Sequence, residues 1–504
     1  MRYLLSLSIG PVQDFIAAGR RTADLYAGSR ILEALSRKAA EVLQKGGASL
    51  IFPADPQVTG VNKVLAELGD KPPPERLVQE VRLRLEEYLL QEWEAAVGRL
   101  PRSYRDKIQE DRAKAQLRNF LEFYAAWVPF QEDYAAARRA VERMLAGRKA
   151  LRDFAPLDQG DQGVPKSPLD PAWAAVINAR EWGDAHLITE DGKRPLRIKP
   201  TEHLDAISLF KRLFGVLKHG QVESTRVLAR RSLHPQATAA DVPGEEEDGV
   251  PEPWPYFAIL VADGDRMGEL IGRQASLEAH RKLSEKIGKF AKVADTIVRE
   301  HHGLLVYSGG DDVLAFLPAN QAVVCAKRLA QAFREKVGGT LSVGVAIVHY
   351  REPLSLSLEA ARGAERAAKN KAAPREEQGD RLAVALHTRS GSSLVVVRRW
   401  AELESPQLDW EVLVRLYAEN SLSRGLAYEL WRLAREWPED LPPDFLNAEA
   451  RRILRRKERR GEEPFLPAFA GPGELEVFAK QLVIARFLGG IGKEERGQDA
   501  RSGA

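Results

Sequence analysis

At 504 residues the chain is too long for one hydrophobic core, since domains usually contain about 100–200 residues. With 44% hydrophobic and 29% charged residues, its composition is globular rather than disordered. The 75 Lys and Arg against 72 Asp and Glu leave a net charge of +3, which argues against coating nucleic acid by bulk charge. The single cysteine, Cys325, excludes internal disulfides and any zinc site that needs two thiolates.

Membrane and export signals are missing from the sequence. No apolar run approaches the roughly 18–20 residues that a transmembrane helix needs. The N-terminal segment Met1–Ser8 alternates apolar and polar residues and is too short for a signal peptide. We therefore expect a soluble, cytoplasmic protein without a membrane partner.

Residues 1–200 predict a first palm-like domain with a helical insertion. A strand is predicted at Leu4–Ser8, where apolar and serine side chains alternate. Ser29 is a candidate N-cap for the helix that follows it. A short strand at Leu50–Phe52 comes next, and from about Pro74 to Leu151 the pattern is helical and heavily charged.

Residues 201–253 predict a small helical domain that ends in a linker rich in proline and acidic residues. Residues 254–398 have the most regular pattern. The strand Phe257–Val261 is apolar throughout, and a helix, a hairpin turning at Gly309-Gly310, a second helix and the strand Leu341–His349 follow. This β-α-β-β-α-β order predicts a ferredoxin-like or polymerase-palm sheet.

Residues 399–504 predict a helical C-terminal domain. The first region repeats the element order of the third in a weaker form, which indicates a duplicated palm. The predicted fold class is therefore α+β, with two ferredoxin-like palm domains, a helical insertion and a helical C-terminal domain.

Acidic residues stand at the ends of neighbouring predicted strands. Asp263 follows the strand Phe257–Val261, and Asp311 and Asp312 lie in the hairpin turn. In this topology they meet at one sheet edge, and neither motif contains Lys or Arg. Clustered carboxylates repel and are normally tolerated around a divalent cation, so we predict a Mg²⁺ or Mn²⁺ site. For the turn alone, an ordinary hairpin with solvated acids is an equal alternative.

Small residues around these acids suit a nucleotide. Gly309 and Gly310 allow close approach to the backbone, Ser308 is polar and short, and Gly264 leaves a carbonyl open to a metal. Lys369 either reaches a phosphate or is a solvated lysine of its helix.

The next strand adds to this interpretation, because Ser342 and Gly344 on one of its faces leave room for a nucleotide. Such a site suits two-metal nucleotidyl transfer, and the sequence contains no Gly-x-x-x-x-Gly-Lys-Ser/Thr loop.

Several segments together resemble the large palm-domain subunit of type III-B CRISPR RNA-guided effector complexes. They are YFAILVADGDRMG at 256–268, YSGGDDVLAFLP at 307–318, LSVGVAIVHYREPL at 341–354, ARGAERAAK at 361–369, SIGPVQDFIAAGRRTADLYAGSRIL at 8–32 and LRDF at 151–154. The GGDD motif alone is shared with diguanylate cyclases, whereas its combination with the 8–32 segment is far more specific.

The resemblance implies two nucleotidyl-cyclase-like palms and conversion of ATP to cyclic oligoadenylate, a second messenger, when the complex holds target RNA. Sister subunits, guide RNA and target RNA are the implied partners. It implies that Asp263, Asp311 and Asp312 bind metal and act in catalysis. It also implies that Ser308, Gly309 and Gly310 line the nucleotide.

The resemblance further implies that Gly28 and Ser29 of the first palm lie near a second ATP. As a helix N-terminus these residues would attract phosphate, and a plain N-cap role for Ser29 is the alternative.

Two departures from the family pattern matter. Many members carry an N-terminal HD nuclease domain, whereas this chain starts at the first palm and none of its nine histidines precedes an Asp. We therefore expect no nuclease HD site in this chain. Members also often hold zinc through cysteines after the LRDF-like segment, but Arg152–Pro171 contains none, so no zinc is expected there.

Two other functions remain open at this stage. A stand-alone diguanylate-cyclase-like enzyme would explain GGDD but not the first region or the helical domains. A scaffold with a silent palm would bind guide RNA and sister subunits without turnover. The presence of Asp263, Asp311 and Asp312 argues against silence.

Overall fold

The computed structural model describes residues 1–57, 62–151, 163–182, 185–188, 195–218, 222–238, 255–389, 391–438, 441–457 and 466–491. Most of the predicted linker before residue 253, and residues 152–154 of the LRDF-like segment, lie outside the described residues. In the described ranges, no helix combines the length and apolar character needed to cross a bilayer.

Twelve strands are described within these ranges. They are β1 (Arg2–Gly10), β2 (Ser49–Phe52), β3 (Lys63–Leu68), β4 (Glu122–Phe130), β5 (Ala185–Ile188), β6 (Pro195–Ile198), β7 (Tyr256–Gly264), β8 (Leu304–Ser308), β9 (Val313–Pro318), β10 (Leu341–His349), β11 (Arg381–Leu386) and β12 (Leu394–Arg399).

Seventeen α-helices are described in the same ranges. They are α1 (Gln13–Ala17), α2 (Thr22–Lys45), α3 (Pro74–Gly98), α4 (Arg102–Arg105), α5 (Glu110–Phe120), α6 (Tyr134–Ala150), α7 (Ala179–Trp182), α8 (Ala206–Lys218), α9 (Thr225–Arg231), α10 (Met267–Gly272), α11 (Leu277–Glu300), α12 (Ala322–Val337), α13 (Leu354–Lys369), α14 (Trp410–Ala418), α15 (Leu426–Glu436), α16 (Pro443–Lys457) and α17 (Pro472–Gly489).

The chain packs into two compact units. The first comprises residues 1–224, 266–295 and 306–313, and the second comprises residues 225–265, 296–305 and 314–504. The larger sheet has six strands, and each strand is hydrogen-bonded to its neighbours.

The sheet of the first unit has the strand order β2-β3-β1-β4. The strand β1 is antiparallel to both neighbours, and Leu5 lies opposite Ala66 of β3 and Trp127 of β4. From Leu4 to Gly10 every residue of β1 is buried, which explains why a central strand forms at the start of the chain. The strands β3 and β4 are missing from the sequence-based prediction, which assigned helix across residues 122–130.

Helices complete the first unit. The long helix α2 contacts α3 and α8, and its buried face repeats with helical spacing through Leu25, Leu32, Leu35 and Leu43. Helix α8 is held to α2 by a buried ion pair in which the Arg212 guanidinium donates to both carboxylate oxygens of Asp24, at 2.8 and 3.0 Å.

The larger sheet has the order β12-β11-β10-β7-β9-β8. Its core strands β8, β9, β7 and β10 have the order 2-3-1-4 when numbered along the palm, and β2, β3, β1 and β4 have the same order. This shared order confirms the α+β fold with two palm-type sheets. Helices α12 and α13 pack on β10, all of whose residues are buried.

The C-terminal part of the second unit is helical, as predicted. Helices α14 to α17 enclose an apolar core formed by buried residues that include Leu413, Leu430, Leu446, Phe478 and Leu482. The hairpin strands β11 and β12 extend the palm sheet just before these helices and are antiparallel to each other.

Candidate functional site

Three carboxylates come together at one edge of the larger sheet. Asp263 is the penultimate residue of β7, while Asp311 and Asp312 lie in the turn between β8 and β9. Because β7 and β9 are neighbours in the sheet, one oxygen from each of the three side chains lies within 4.8 Å of the others. All three are partly exposed, so the cluster is open to solvent.

The turn that carries Asp311 and Asp312 has a backbone that only glycine fits well. The amide of Gly309 donates to the carbonyl of Asp312 at 2.9 Å and closes the turn. Gly310 has φ +91°, in the left-handed region that side chains disfavour. A Cβ on Gly310 would also lie 3.2 Å from the side chain of Ile287.

The side chain at position 309 is restricted by the preceding strand, β8. A Cβ at this position would overlap the ring and hydroxyl of Tyr307. We predicted the glycine pair from the close approach of a nucleotide. That reason is incomplete, because local packing and backbone geometry already require glycine at both positions. Burial, followed by the charges of Asp312 and Asp311, raises the pKa of Tyr307.

Ser308 lies at the end of β8 directly before this turn. Its side chain is 5% exposed, and its Oγ has no hydrogen-bond partner among the described residues. Buried hydroxyls normally find a partner, so this atom is a candidate for contact with a bound molecule. That Ser308 lines a nucleotide stays a prediction.

Lys369 has a different environment from the predicted phosphate-facing position. Its ammonium, at the end of α13, donates to the carbonyls of Asp263 and Gly264, both at 2.9 Å, and to the Asp265 carboxylate at 3.1 Å. It also forms an ion pair with the Asp263 carboxylate. Both alternatives for Lys369 need correction, because the side chain is buried and bound to β7 rather than solvated or open to a phosphate.

Two further predictions change with this lysine. Asp263 has a cation beside it even though neither acidic motif contains one, because the cation comes from a helix more than a hundred residues away. The Gly264 carbonyl, predicted to stay open to a metal, accepts a hydrogen bond from the same ammonium.

Asp265 is a residue that sequence analysis missed. It follows Asp263 by two positions, is 7% exposed and accepts hydrogen bonds from four groups. Besides Lys369 these are Ser342 Oγ at 2.7 Å, Thr340 Oγ1 at 2.9 Å and the amide of Asp380 at 2.8 Å. The D-G-D spacing could have drawn attention to Asp265, but only packing shows that it points inward.

The space predicted around β10 is filled by protein. Ser342 is fully buried and bound to Asp265, and a Cβ on Gly344 would overlap the backbone of Glu365 in α13. These small residues therefore allow a helix, not a nucleotide, to lie close to the strand. Burial, and then the charge of Asp263, raises the pKa of Glu365.

The predicted N-terminal helix site in the first palm is wrong. Helix α2 begins at Thr22 with Arg21 as its N-cap residue, so Gly28 and Ser29 lie inside the helix. No proline interrupts the segment between Thr22 and Ser29, and Leu25 and Ala27 extend the buried face. Both positions are buried, and Phe15, Ile16 and Lys211 lie beside Gly28.

The donor atoms of the carboxylate cluster fit a hard divalent cation. Asp263, Asp311 and Asp312 offer oxygen ligands only, which is the set that Mg²⁺ and Mn²⁺ prefer over zinc or copper. The unpartnered Ser308 hydroxyl next to the cluster adds a polar contact for a molecule that such a cation would hold.

Two family models match this chain. Residues 256–377 match the model described as Cas10/Cmr2, second palm domain, and residues 4–143 match CRISPR-associated protein Cmr2, N-terminal. The matched segments contain the acidic cluster and the first palm sheet. The chain belongs to the Cas10/Cmr2 family.

Among curated proteins, the CRISPR system Cmr subunit Cmr2 of Pyrococcus furiosus is 29% identical over 237 residues. That match covers 40% of this chain and 27% of the relative.

Solved structures agree with the family at the level of the fold. A type III-B Cmr-beta structure in the apo state has a TM-score of 0.71 at 12% identity and covers 97% of this chain and 82% of that chain. The same complex bound to cognate target RNA has a TM-score of 0.68 at 13% identity, covering 97% and 83%. A Csm1–Csm4 cassette in complex with cA4 has a TM-score of 0.53 at 16% identity, covering 96% and 70%.

Proposed function

We propose that this Cas10/Cmr2 family member is the large subunit of a type III-B RNA-guided complex and converts ATP to cyclic oligoadenylate when target RNA is bound. The observation that carries the proposal is the cluster of Asp263, Asp311 and Asp312 beside a glycine turn. Relatives support it, since Csm1–Csm4 cassettes have been solved with ATP and with cA4. We expect the complex to act in the cytoplasm.

The residues of the cluster have distinct proposed roles. Asp263, Asp311 and Asp312 hold Mg²⁺ or Mn²⁺ and are the catalytic carboxylates. When bound, such a cation lowers the pKa of a ribose 3′-hydroxyl and neutralises the triphosphate. The buried Ser308 hydroxyl donates to the nucleotide. Gly309 and Gly310 line the nucleotide beside the partly exposed carboxylates.

The proposed partners are sister subunits, guide RNA and target RNA. The Cmr-beta structures support this assignment through their shared fold, and one of them is described as bound to cognate target RNA. A subunit with a net charge of +3 does not need bulk charge if partners supply most of the RNA-binding surface.

The test is reconstitution of the full chain with its sister subunits, guide RNA and matching target RNA. ATP and Mg²⁺ or Mn²⁺ are added, and products are identified by mass spectrometry. We expect cyclic oligoadenylates that require target RNA and disappear in the Asp311→Asn/Asp312→Asn variant while RNA binding persists. As a matched control, Asp70→Asn/Asp106→Asn removes two charges from exposed side chains and should leave the products unchanged.

One observation favours a second candidate, a silent scaffold. The ion pair between Lys369 and Asp263 supplies the carboxylate with a cation of the protein's own. Assembly on RNA without any nucleotide product would support the scaffold. Cyclic di-guanylate from GTP alone would instead support a diguanylate-cyclase-like enzyme, and unchanged product in Asp311→Asn/Asp312→Asn would refute the site assignment.

A further inference from the structure

Asp265 is a buried carboxylate whose two oxygens are fully occupied by the protein. Oδ1 accepts from Ser342 Oγ at 2.7 Å and Lys369 Nζ at 3.1 Å. Oδ2 accepts from Thr340 Oγ1 at 2.9 Å and the Asp380 amide at 2.8 Å. Because each oxygen already accepts two hydrogen bonds, Asp265 is not available as a metal ligand, although it follows Asp263 by only two residues.

The backbone around Asp265 fits its carboxylate closely. Gly379 has φ +76°, and a Cβ there would lie 2.5 Å from the Asp265 carboxylate. The amide of Asp265 also donates to the Thr340 carbonyl at 2.8 Å. The end of β7, the start of β10 and the turn before β11 are therefore tied together at this one side chain.

Lys369 connects Asp265 with Asp263. Lys369 is 7% exposed. Its ammonium lies between the two carboxylates and donates hydrogen bonds to the carbonyls of Asp263 and Gly264. One cation thus fixes both the backbone and the side chain of Asp263. The charge of Lys369 would compete with a divalent cation for Asp263 unless another anion offsets it, and Asp265 is that anion.

We propose that Asp265 is a positioning residue for the metal site: it holds Lys369 in place, offsets its charge and so keeps Asp263 oriented and available to Mg²⁺ or Mn²⁺. This inference rests on the proposed metal site and assigns Asp265 no contact with metal or nucleotide. A carboxylate that anchors a ligand-bearing segment in this way commonly changes metal affinity about 10–100-fold when it is altered.

The test measures Mn²⁺ binding to the full chain by electron paramagnetic resonance of the free ion, without nucleotide. Asp265→Asn keeps the size of the side chain and removes its charge. We expect about 10–100-fold weaker Mn²⁺ binding. Adding Lys369→Met to Asp265→Asn should restore part of the affinity, since it removes the ammonium that competes for Asp263 once Asp265 no longer offsets its charge.

A matched control separates positioning from general damage to the fold. Asp205, which directly precedes α8 in the first unit, is also buried and accepts from the Ser208 amide and hydroxyl at 2.8 and 2.6 Å. Asp205→Asn should lower stability and leave Mn²⁺ affinity unchanged. Equal loss of Mn²⁺ affinity in Asp205→Asn and Asp265→Asn would overturn the inference.

Two milder variants cover the case in which Asp265→Asn does not fold. Thr340→Val and Ser342→Ala each remove one donor to Asp265, and each should weaken Mn²⁺ binding about two- to tenfold. Wild-type affinity in a folded Asp265→Asn protein, or in both milder variants, would overturn the inference.

Failure of this inference is distinguishable from failure of the proposed function. If reconstituted wild-type complex makes no cyclic oligoadenylate but the Mn²⁺ affinities follow the expected order, the positioning role stands and the proposed activity fails. If product forms and Asp265→Asn binds Mn²⁺ like the wild type, the activity stands and the positioning role fails.

Discussion

The ring of Tyr307 occupies the position that a side chain on Gly309 would need. The two residues flank Ser308 at the end of β8, so the turn with Asp311 and Asp312 depends on a glycine two positions after a partly buried tyrosine. The sequence of the acidic turn is therefore restricted by its packing against Tyr307 as well as by the partial exposure of its carboxylates.

Gly309→Ala should therefore destabilise the protein. The added methyl group displaces either Tyr307 or the turn, and overpacking of this kind costs about 1–3 kcal/mol. Chemical unfolding in urea measures the effect. Gly363→Ala is the control, because the nearest atom to a Cβ in that helical position is 3.8 Å away. Alanine there should be neutral or stabilising by up to about 1 kcal/mol. Equal effects of the two changes would contradict the packing argument.

Divalent cations should stabilise the folded chain through the carboxylate cluster. At about 100 times the dissociation constant, a ligand that binds only the folded state adds about 2.7 kcal/mol. Mn²⁺ should therefore raise the midpoint of thermal unfolding, and EDTA should reverse the shift.

The shift should vanish in Asp311→Asn/Asp312→Asn and persist in Asp70→Asn/Asp106→Asn, whose side chains are exposed. A shift that survives in the first variant would assign the cation to another site.

His280 should make stability depend on pH in mildly acidic solution. Its Nδ1 lies 2.6 Å from the Tyr134 hydroxyl. Burial, and then the charge of Arg138, lowers its pKa from 6.5 to about 4, while Glu142 opposes and Lys63 adds to the shift. Because the folded pKa is depressed, stability is fully present above pH 6.5 and falls as pH drops toward about 4. The loss amounts to roughly 3 kcal/mol.

Unfolding free energies measured from pH 7.5 to pH 4.5 check this expectation. His280→Gln offers Tyr134 an acceptor that does not titrate, so its stability should fall less steeply over this range. His234→Gln changes an exposed histidine and should keep the wild-type slope. Parallel slopes for wild type and His280→Gln would contradict the assignment.

The buried ion pair between α2 and α8 should be costly to break. Arg212 is 2% exposed and binds Asp24 and Glu202, so Arg212→Met leaves two buried carboxylates without their guanidinium. Loss of one partner from such a network costs about 3–5 kcal/mol. Arg84→Met removes a guanidinium from an exposed pair with Glu87 and should change stability by less than about 1 kcal/mol. Urea unfolding of both variants measures the difference, and a similar small cost would show that the network contributes little.

Regular patterns made much of the fold predictable. The apolar run at Phe257–Val261, the Gly-Gly turn and the helical spacing after them specify the second palm locally, and β7 to β10 form the expected order. The strand β3 was missed because it is short and carries Lys63 and Glu67, and β4 was missed because it lies between two helices, α5 and α6. Both strands pair with β1, which local spacing does not reveal. Gly28 and Ser29 were misplaced because a serine after a glycine looks like an N-cap, whereas the helix had already begun at Thr22.

The sequence by itself determined the convergence of Asp263 with Asp311 and Asp312, because strand order follows from the element order and the acids stand at strand ends. It did not determine the charge balance of that site. Lys369 and Asp265 meet only because α13 packs on β10, where Gly344 allows the helix backbone to lie close to the strand. Contacts between residues more than a hundred positions apart depend on this packing and not on local spacing, so only the tertiary structure decided which cation lies beside Asp263 and which anion offsets it.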